Sequence, residues 1–296
     1  MENHRRDFLK ASLAAGLVPA SASAQGRVAR AGGSRVQIAL NAYSFNQPLR
    51  DGKMTLEDAV DFCARHGIAA LDATGYYFPG YPKAPAGEAL HRLKRRGFVN
   101  GVTICGTGVR NDFAVTDAAA RRADLQLVKD WIGAARELGA GVIRVFAGRA
   151  VPAGRTFEQA LEWMVPLFQE CAEYGGRHGV IVGLQNHNDF VKTAEETIRI
   201  VSAVNSEWFG VILDVGSLRT DPYAEIETLT PYAVSWQLKE NVWSGGKETL
   251  TDLGRVKAII DKAGYRGFLP IETLGAGDPY GKVARFREQV RAVFGV

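Results

Sequence analysis

Eight times beyond Ser34 a short apolar or β-branched run alternates with a longer amphipathic segment, and this alternation limits the possible folds more than any other feature of the chain. The strand-like runs fall at 36–40, 68–73, 99–105, 142–146, 180–185, 210–214, 233–239 and 267–272. Helical patterns fall at 55–66, 86–96, 117–138, 156–178, 193–204, 222–230, 252–263 and 282–294. Strict alternation of strand and helix builds a parallel sheet with crossover helices. Eight such units in about 260 residues fit an α/β chain whose sheet closes on itself, a single (β/α)8 TIM barrel over 35–296. A doubly wound sheet has fewer strands and a glycine fingerprint after the first. Here Gly106-Thr107-Gly108 lacks the third glycine and follows the third strand, and no GxxxxGK[ST] occurs, so nothing cradles a nucleotide phosphate. Several helix ends are written in the sequence. Thr55-Leu56-Glu57-Asp58 reads as a capping box, and Gly139, Gly179 and Gly264 stand just past last turns. Pro166, inside a helical pattern, predicts a kink rather than a break.

Residues 1–24 stand apart from that pattern. Arg5-Arg6-Asp7-Phe8-Leu9-Lys10, an apolar stretch at 11–20 and Ala22-Ser23-Ala24 read as a signal peptide resembling the twin-arginine type. That predicts folding in the cytoplasm followed by export, so a periplasmic or secreted location. The apolar stretch is about half the ~20 residues of a membrane span, so no membrane association is expected of the mature chain. Residues 25–34 read as a linker. Cys63, Cys105 and Cys171 form no CxxC pair; two sit in helical patterns and one ends a strand, which predicts buried free thiols. With 36 basic against 32 acidic residues the net charge is only +4, which excludes the electrostatic footprint of a dedicated nucleic-acid binder.

In a barrel of this type the reaction centre lies at the C-terminal ends of the strands, so polar residues that close an apolar run carry the information. Four successive strands end this way: the fifth on Gln185-Asn186-His187, the sixth on Asp214, the seventh on Gln237-Leu238-Lys239 and the eighth on Glu272. Alternation puts Gln185 with His187 on one face, and Gln237 with Lys239. If those faces point inward, buried charges converge and require a partner. Oxygen donors from Gln185, Asp214, Gln237 and Glu272 would form a hard divalent-metal site, suited to Mn2+ or Mg2+ and less to Zn2+. An ion pair between Lys239 and Asp214 or Glu272 is the other way to balance the charge.

These strand ends resemble the xylose isomerase-like TIM-barrel superfamily, the sugar phosphate isomerase/epimerase and AP endonuclease family 2 group. The resemblance rests on Gln185-Asn186-His187, Ile212-Leu213-Asp214-Val215-Gly216, Gln237-Leu238-Lys239-Glu240-Asn241 and Ile271-Glu272. It implies a metal held by Glu, Asp, His and Glu from strands five to eight, with the two Glu exchanging protons beside a carbonyl. Asp214 and Glu272 match; Gln185 replaces the first Glu and Gln237 the His. A carboxamide offers an oxygen but no usable proton-transfer pKa, so Gln185 cannot be a second base. Glu272 remains as base, His187 as a second proton carrier or an orienting group, and Lys239 as the group that polarises a carbonyl.

The expected ligand is a small carbohydrate. After the second strand, Asp72-Ala73-Thr74-Gly75-Tyr76-Tyr77-Phe78-Pro79-Gly80-Tyr81 puts four aromatics on one loop, chemically suited to a sugar face. Tyr43, Asp72, Tyr76, Arg144, Arg219 and Trp243 are the candidate substrate contacts. The leading reading is a divalent-metal-dependent isomerase or epimerase that abstracts a proton beside the carbonyl of a free or glycosidic keto-sugar. The alternatives are a metal-assisted β-elimination lyase on 3-keto-glycosides and a non-catalytic periplasmic sugar-binding barrel. Cleavage of abasic DNA on three zinc ions needs a His-rich ligand set; of five histidines only His187 lies at a strand end. Homo-oligomerisation is left open.

Overall fold

In the computed structural model, which describes residues 25–296, eight parallel strands close into a barrel. They are β1 (Arg35–Asn41), β2 (Ala70–Thr74), β3 (Thr103–Gly108), β4 (Val142–Val145), β5 (Ile181–Gln185), β6 (Phe209–Asp214), β7 (Ala233–Lys239) and, after a two-stranded hairpin, β10 (Arg266–Glu272). Round the barrel the order is β1-β2-β3-β4-β5-β6-β7-β10, with β10 pairing back onto β1. Helices α2 (Leu56–Arg65), α3 (Gly87–Val99), α4 (Ala118–Leu138), α5 (Phe157–His178), α6 (Ala194–Val204), α7 (Pro222–Leu229), α8 (Leu253–Ala263) and α9 (Pro279–Phe294) ring it, and a short α1 (Asn46–Arg50) follows β1. The twin-arginine-like segment lies outside the described residues. Residues 25–34 carry no helix or strand; the N–H of Val28 donates to the Pro231 carbonyl, and Arg30 lies over the Tyr265 ring. Among the described residues no helix is long and apolar enough to cross a membrane.

The period-two alternation of the strands separates two cores. Outward residues such as Ile38, Leu40, Leu71, Ile143, Leu184 and Leu213 join the helices in one large apolar layer. Ala39, Ala70 and Cys105, with Phe268 against them, form a separate cluster inside the lumen. Small side chains there leave the upper lumen to the next inward residues along each strand, which are polar: Asn41, Asp72, Arg144, Gln185, Asp214, Gln237 and Glu272, all buried.

Helix ends obey local chemistry. The hydroxyls of Thr55, Thr156 and Thr193 cap their helices while Asp58, Gln159 and Glu196 return bonds to the cap N–H. Gly139, Gly179 and Gly264 take the left-handed cap conformation. α5 runs unbroken through Pro166. The third strand starts at Thr103 rather than 99, because Val99 still belongs to α3 and Gly101 turns the chain at φ +68°. Cys105 therefore lies within β3 rather than at its end. All three cysteines are free and buried. The hairpin, β8 (Asn241–Ser244) and β9 (Lys247–Leu250), is an addition to the eight units; Gly245-Gly246, both at positive φ, make its two-residue turn.

Candidate active site

Register brings the polar strand ends together. Asp214 lies opposite Gln237, and Glu272 opposite Lys239. Lys239 Nζ sits 3.0 Å from Asp214 Oδ2 and 3.4 Å from Glu272 Oε1, so of the two ways to balance the charge the structure takes the ion pair. The Gln185 amide donates both its protons, to Asp214 Oδ2 and to Gln237 Oε1, each at 2.7 Å. Ser217 donates its hydroxyl to Asp214 Oδ2 at 2.8 Å, and the Gly216 N–H reaches Oδ1 at 3.0 Å. Asn186 locks the same residue from behind, accepting from the Asp214 N–H and donating to its carbonyl.

The four expected metal donors are thus neighbours, but they do not present a divalent site. Each oxygen of an ionised carboxylate offers about two lone-pair positions; on Asp214 Oδ2 three donors, Lys239, Gln185 and Ser217, already converge, and the Gly216 N–H engages Oδ1. Gln237 Oε1 is turned to Gln185 and the gap between Asp214 and Glu272 holds an ammonium. Among the described residues no group of three or more His, Cys, Asp or Glu could hold a metal ion.

Electrostatics of the mouth follow from a count of charges: three buried carboxylates, Asp72, Asp214 and Glu272, face two cations, Arg144 and Lys239. Burial raises the Glu272 carboxyl above the usual range; Lys239 opposes this and Asp214 adds to it. Asp72 is pushed up to about 7, by burial first, with Arg144 opposing and Glu272 adding. Burial alone would lower the Lys239 ammonium, but Asp214 and Glu272 outweigh it and hold it above the ordinary lysine value. Arg144 is buried too and stays charged, held up by Tyr76, Asp72 and Glu272.

A cavity of about 160 Å³ opens above this cluster, walled by Tyr43, Tyr76, Arg144, His187 and Glu272 among others. Arg144 donates to the Tyr76 hydroxyl at 2.8 Å and lies over the Tyr76 and Phe146 rings. It fits because position 108 is glycine: a Cβ there would meet the guanidinium at 2.8 Å. A second compartment of about 290 Å³ adjoins the first, sharing His187, Lys239, Glu272 and Leu274, and is walled further by Arg219, Glu240, Asn241 and Glu248. His187 Nδ1 pairs with Asp189 at 3.0 Å and its ring meets Phe146 edge-on.

Not every expected contact reaches these walls. Asp72 lies below the cavity, taking a bond from Asn41 Nδ2 at 3.3 Å. Trp243 is outside both walls and instead supports Arg219, whose guanidinium is 4.9 Å from its ring. Of the loop aromatics only Tyr76 faces the cavity; Phe78 and Tyr81 pack on Trp131, and Tyr77 donates to Asn46. Residues the sequence reading passed over are Asn41, Thr74, Arg110 and Phe146, which line the first compartment, and Ser217. Asn41 obeys the strand-end rule and was passed over because the first run ends on paper at Leu40, one residue before β1 does.

Residues 38–291 match the xylose isomerase-like TIM barrel family. The chain belongs to that family. Solved xylose isomerase-like and related barrels share the fold at low identity. A D-psicose 3-epimerase from Clostridium cellulolyticum H10, with D-tagatose, superposes with a TM-score of 0.72 at 15% identity, covering 87% of this chain and 99% of that one. A 3-keto-D-glucoside 4-epimerase from E. coli gives 0.69 at 12%, covering 88% and 99%. A probable 3-DHS dehydratase from Bacillus anthracis gives 0.65 at 15%, covering 86% and 98%. No curated protein sequence matches the chain.

Proposed function

We propose that this protein is a sugar isomerase or epimerase that removes the proton next to the carbonyl of a keto-sugar. The observation that carries this reading is Glu272: a buried carboxylate at the cavity wall, held above the usual carboxyl range and facing a fixed ammonium. A carboxylate raised above its ordinary range is a stronger base than a free one and is placed to accept and return a proton. Its carboxylate takes the proton, and the electron pair of the C–H bond moves into the new carbon–carbon double bond. The carbonyl oxygen gains the negative charge, which the Lys239 ammonium stabilises. Return of the proton to the neighbouring carbon, with the hydroxyl proton of the deprotonated carbon passing to the former carbonyl oxygen, gives an isomer; return to the original carbon from the opposite face gives an epimer. His187, with Nδ1 held by Asp189, is the second proton carrier. Tyr43, Tyr76 and Arg144 would hold hydroxyls. The similar solved structures include sugar epimerases, which agrees with this choice of chemistry. The export signal expected at 1–24 places the reaction in the periplasm or outside the cell.

One observation favours a second reading, β-elimination from a 3-keto-glycoside. The second compartment meets the first at Lys239 and Glu272, which gives a leaving group its own space. There the proton at C2 goes to Glu272, the electron pair of the C–H bond forms the C1–C2 double bond, the C1–O bond breaks, and the departing oxygen takes up a proton from His187, which lines both compartments. Incubation of keto-sugars and 3-keto-glycosides with the enzyme in D2O, followed by NMR, tests both. Deuterium beside the carbonyl with a new isomer supports the first reading; release of the free alcohol supports the second. Sugar binding with neither would reduce the protein to a non-catalytic barrel.

A further inference from the structure

The reaction proposed above needs a cation beside Glu272, and the side chains of β5, β6, β7 and β10 supply one without a cofactor. Lys239 rises from the last residue of β7, opposite Glu272 in register, and its side chain is only 14% exposed. Its Nζ stands between Asp214 Oδ2 at 3.0 Å and Glu272 Oε1 at 3.4 Å, the place where an ion shared by these two carboxylates would sit. The remaining donors are arranged around an ammonium rather than a divalent ion. Asp214 Oδ2 accepts from Gln185 and Ser217 as well, and Gln185 presents protons, not its oxygen, to both Asp214 and Gln237. Because a carboxylate only accepts, the amide orientation of Gln185 is fixed by its partner. The charge count agrees. Two carboxylates around one ammonium leave a single negative charge, whereas a divalent ion added beside the ammonium would make the group positive and strip Asp214 of its donors.

We infer that the Lys239 ammonium is the resident cation of this site, a built-in substitute for a divalent metal that both compensates Asp214 and Glu272 and faces the developing oxyanion. The metal-free part of this inference rests on geometry; the oxyanion part rests on the function proposed above. Gln185 and Gln237 belong to the same substitution. With a monovalent centre, neutral amides at those positions keep the cluster from accumulating uncompensated charge.

The test separates metal binding from turnover. Wild-type protein dialysed against a chelator should contain substoichiometric divalent metal by elemental analysis. Titration with Mn2+ should show no saturable heat, and the Tm should not change on adding Mn2+ or EDTA. Lys239→Ala empties the place between the two carboxylates and should acquire Mn2+ binding, with a Tm raised by Mn2+ and lowered again by EDTA. Stoichiometric metal in the wild type, or saturable Mn2+ binding to it, overturns the inference. So does a folded Lys239→Ala that binds no Mn2+. These readouts stand whether or not the sugar chemistry is right, and the wild-type measurements decide alone if the variant does not fold. For turnover, once a substrate is in hand, chelation should change the rate by less than about twofold, whereas removing a metal Lewis acid costs on the order of 10²-fold or more. Lys239→Ala should lose about 10²–10³-fold, the loss seen when one oxyanion donor is removed; wild-type turnover in that variant would remove Lys239 from the reaction.

Discussion

Asp72→Asn should stabilise the protein, and by more as the pH rises. Asp72 is the last inward carboxylate of β2; it is 7% exposed, bonded to Asn41 and pressed over Gly106. Burial holds its proton on, so it titrates in the folded protein at about 7, against about 3.9 in an unfolded chain. A carboxyl whose folded value lies above its unfolded one lends stability only while protonated. That contribution is complete below about pH 4 and is lost as the pH rises through 7. Across the window the unfolded chain has shed the proton and the folded chain keeps it, which costs about 1.36 kcal/mol per pH unit and about 4 kcal/mol over the whole window. Asparagine is isosteric, keeps an oxygen for Asn41 and cannot ionise. At pH 5 most of the loss still lies ahead, so between pH 5 and pH 8 the advantage of the variant should grow by about 3 kcal/mol. Urea denaturation of both proteins at the two pH values measures this. A difference that stays flat with pH would refute the charge count at the mouth, because Asp72 would then be ionised and compensated throughout.

Three further substitutions probe the same cluster. Glu272→Gln removes the proposed base and leaves Lys239 paired with Asp214; turnover should fall by about 10²–10⁴-fold while the melting temperature stays near the wild type, and unchanged turnover would reject Glu272 as the base. Gly108→Ala puts a methyl group 2.8 Å from the Arg144 guanidinium and should displace it from Tyr76, raising KM for substrate and costing about 1–3 kcal/mol of stability; a wild-type KM would show that Arg144 does not touch the sugar. Arg219→Ala strips a wall of the second compartment and should raise KM for a 3-keto-glycoside but not for a free keto-sugar, so equal effects on both would argue against a leaving-group subsite.

The strand-end rule made much of the site legible, because each barrel strand alternates and closes on a polar inward residue. Gln185, Asp214, Gln237, Lys239 and Glu272 could be placed together from this alone, and Thr55, Gly179 and Gly264 marked helix ends by their cap chemistry. What failed was local. The apolar run from Val99 continues smoothly into β3 on paper, but Gly101 at φ +68° divides a helix end from a strand start. The hairpin after β7 has two four-residue strands of mixed polarity, too short for a period to show, although the Gly245-Gly246 turn was there to be read. The loop aromatics were legible as aromatics but not by direction, since Trp131, which draws Phe78 and Tyr81 inward, is on α4 some fifty residues further along.

Which cation fills the mouth was the question the sequence left open, since alternation says only that Lys239 and Gln237 share a face. Rotamer and register decide it: Glu272 faces Lys239 across one ladder and Asp214 faces Gln237 across the next, so an ammonium leaving β7 two residues above Gln237 falls between both acids. A metal site built on the same backbone would require that side chain to leave and Gln185 to turn its oxygen inward, breaking two bonds of 2.7 Å and exposing Asp214 to Glu272 unscreened. Breaking a buried pair by removing one partner costs several kcal/mol. The arrangement therefore holds as a unit. Lys239, Gln185 and Gln237 support one another, and changing any one of the three should alter the cation preference of the other two.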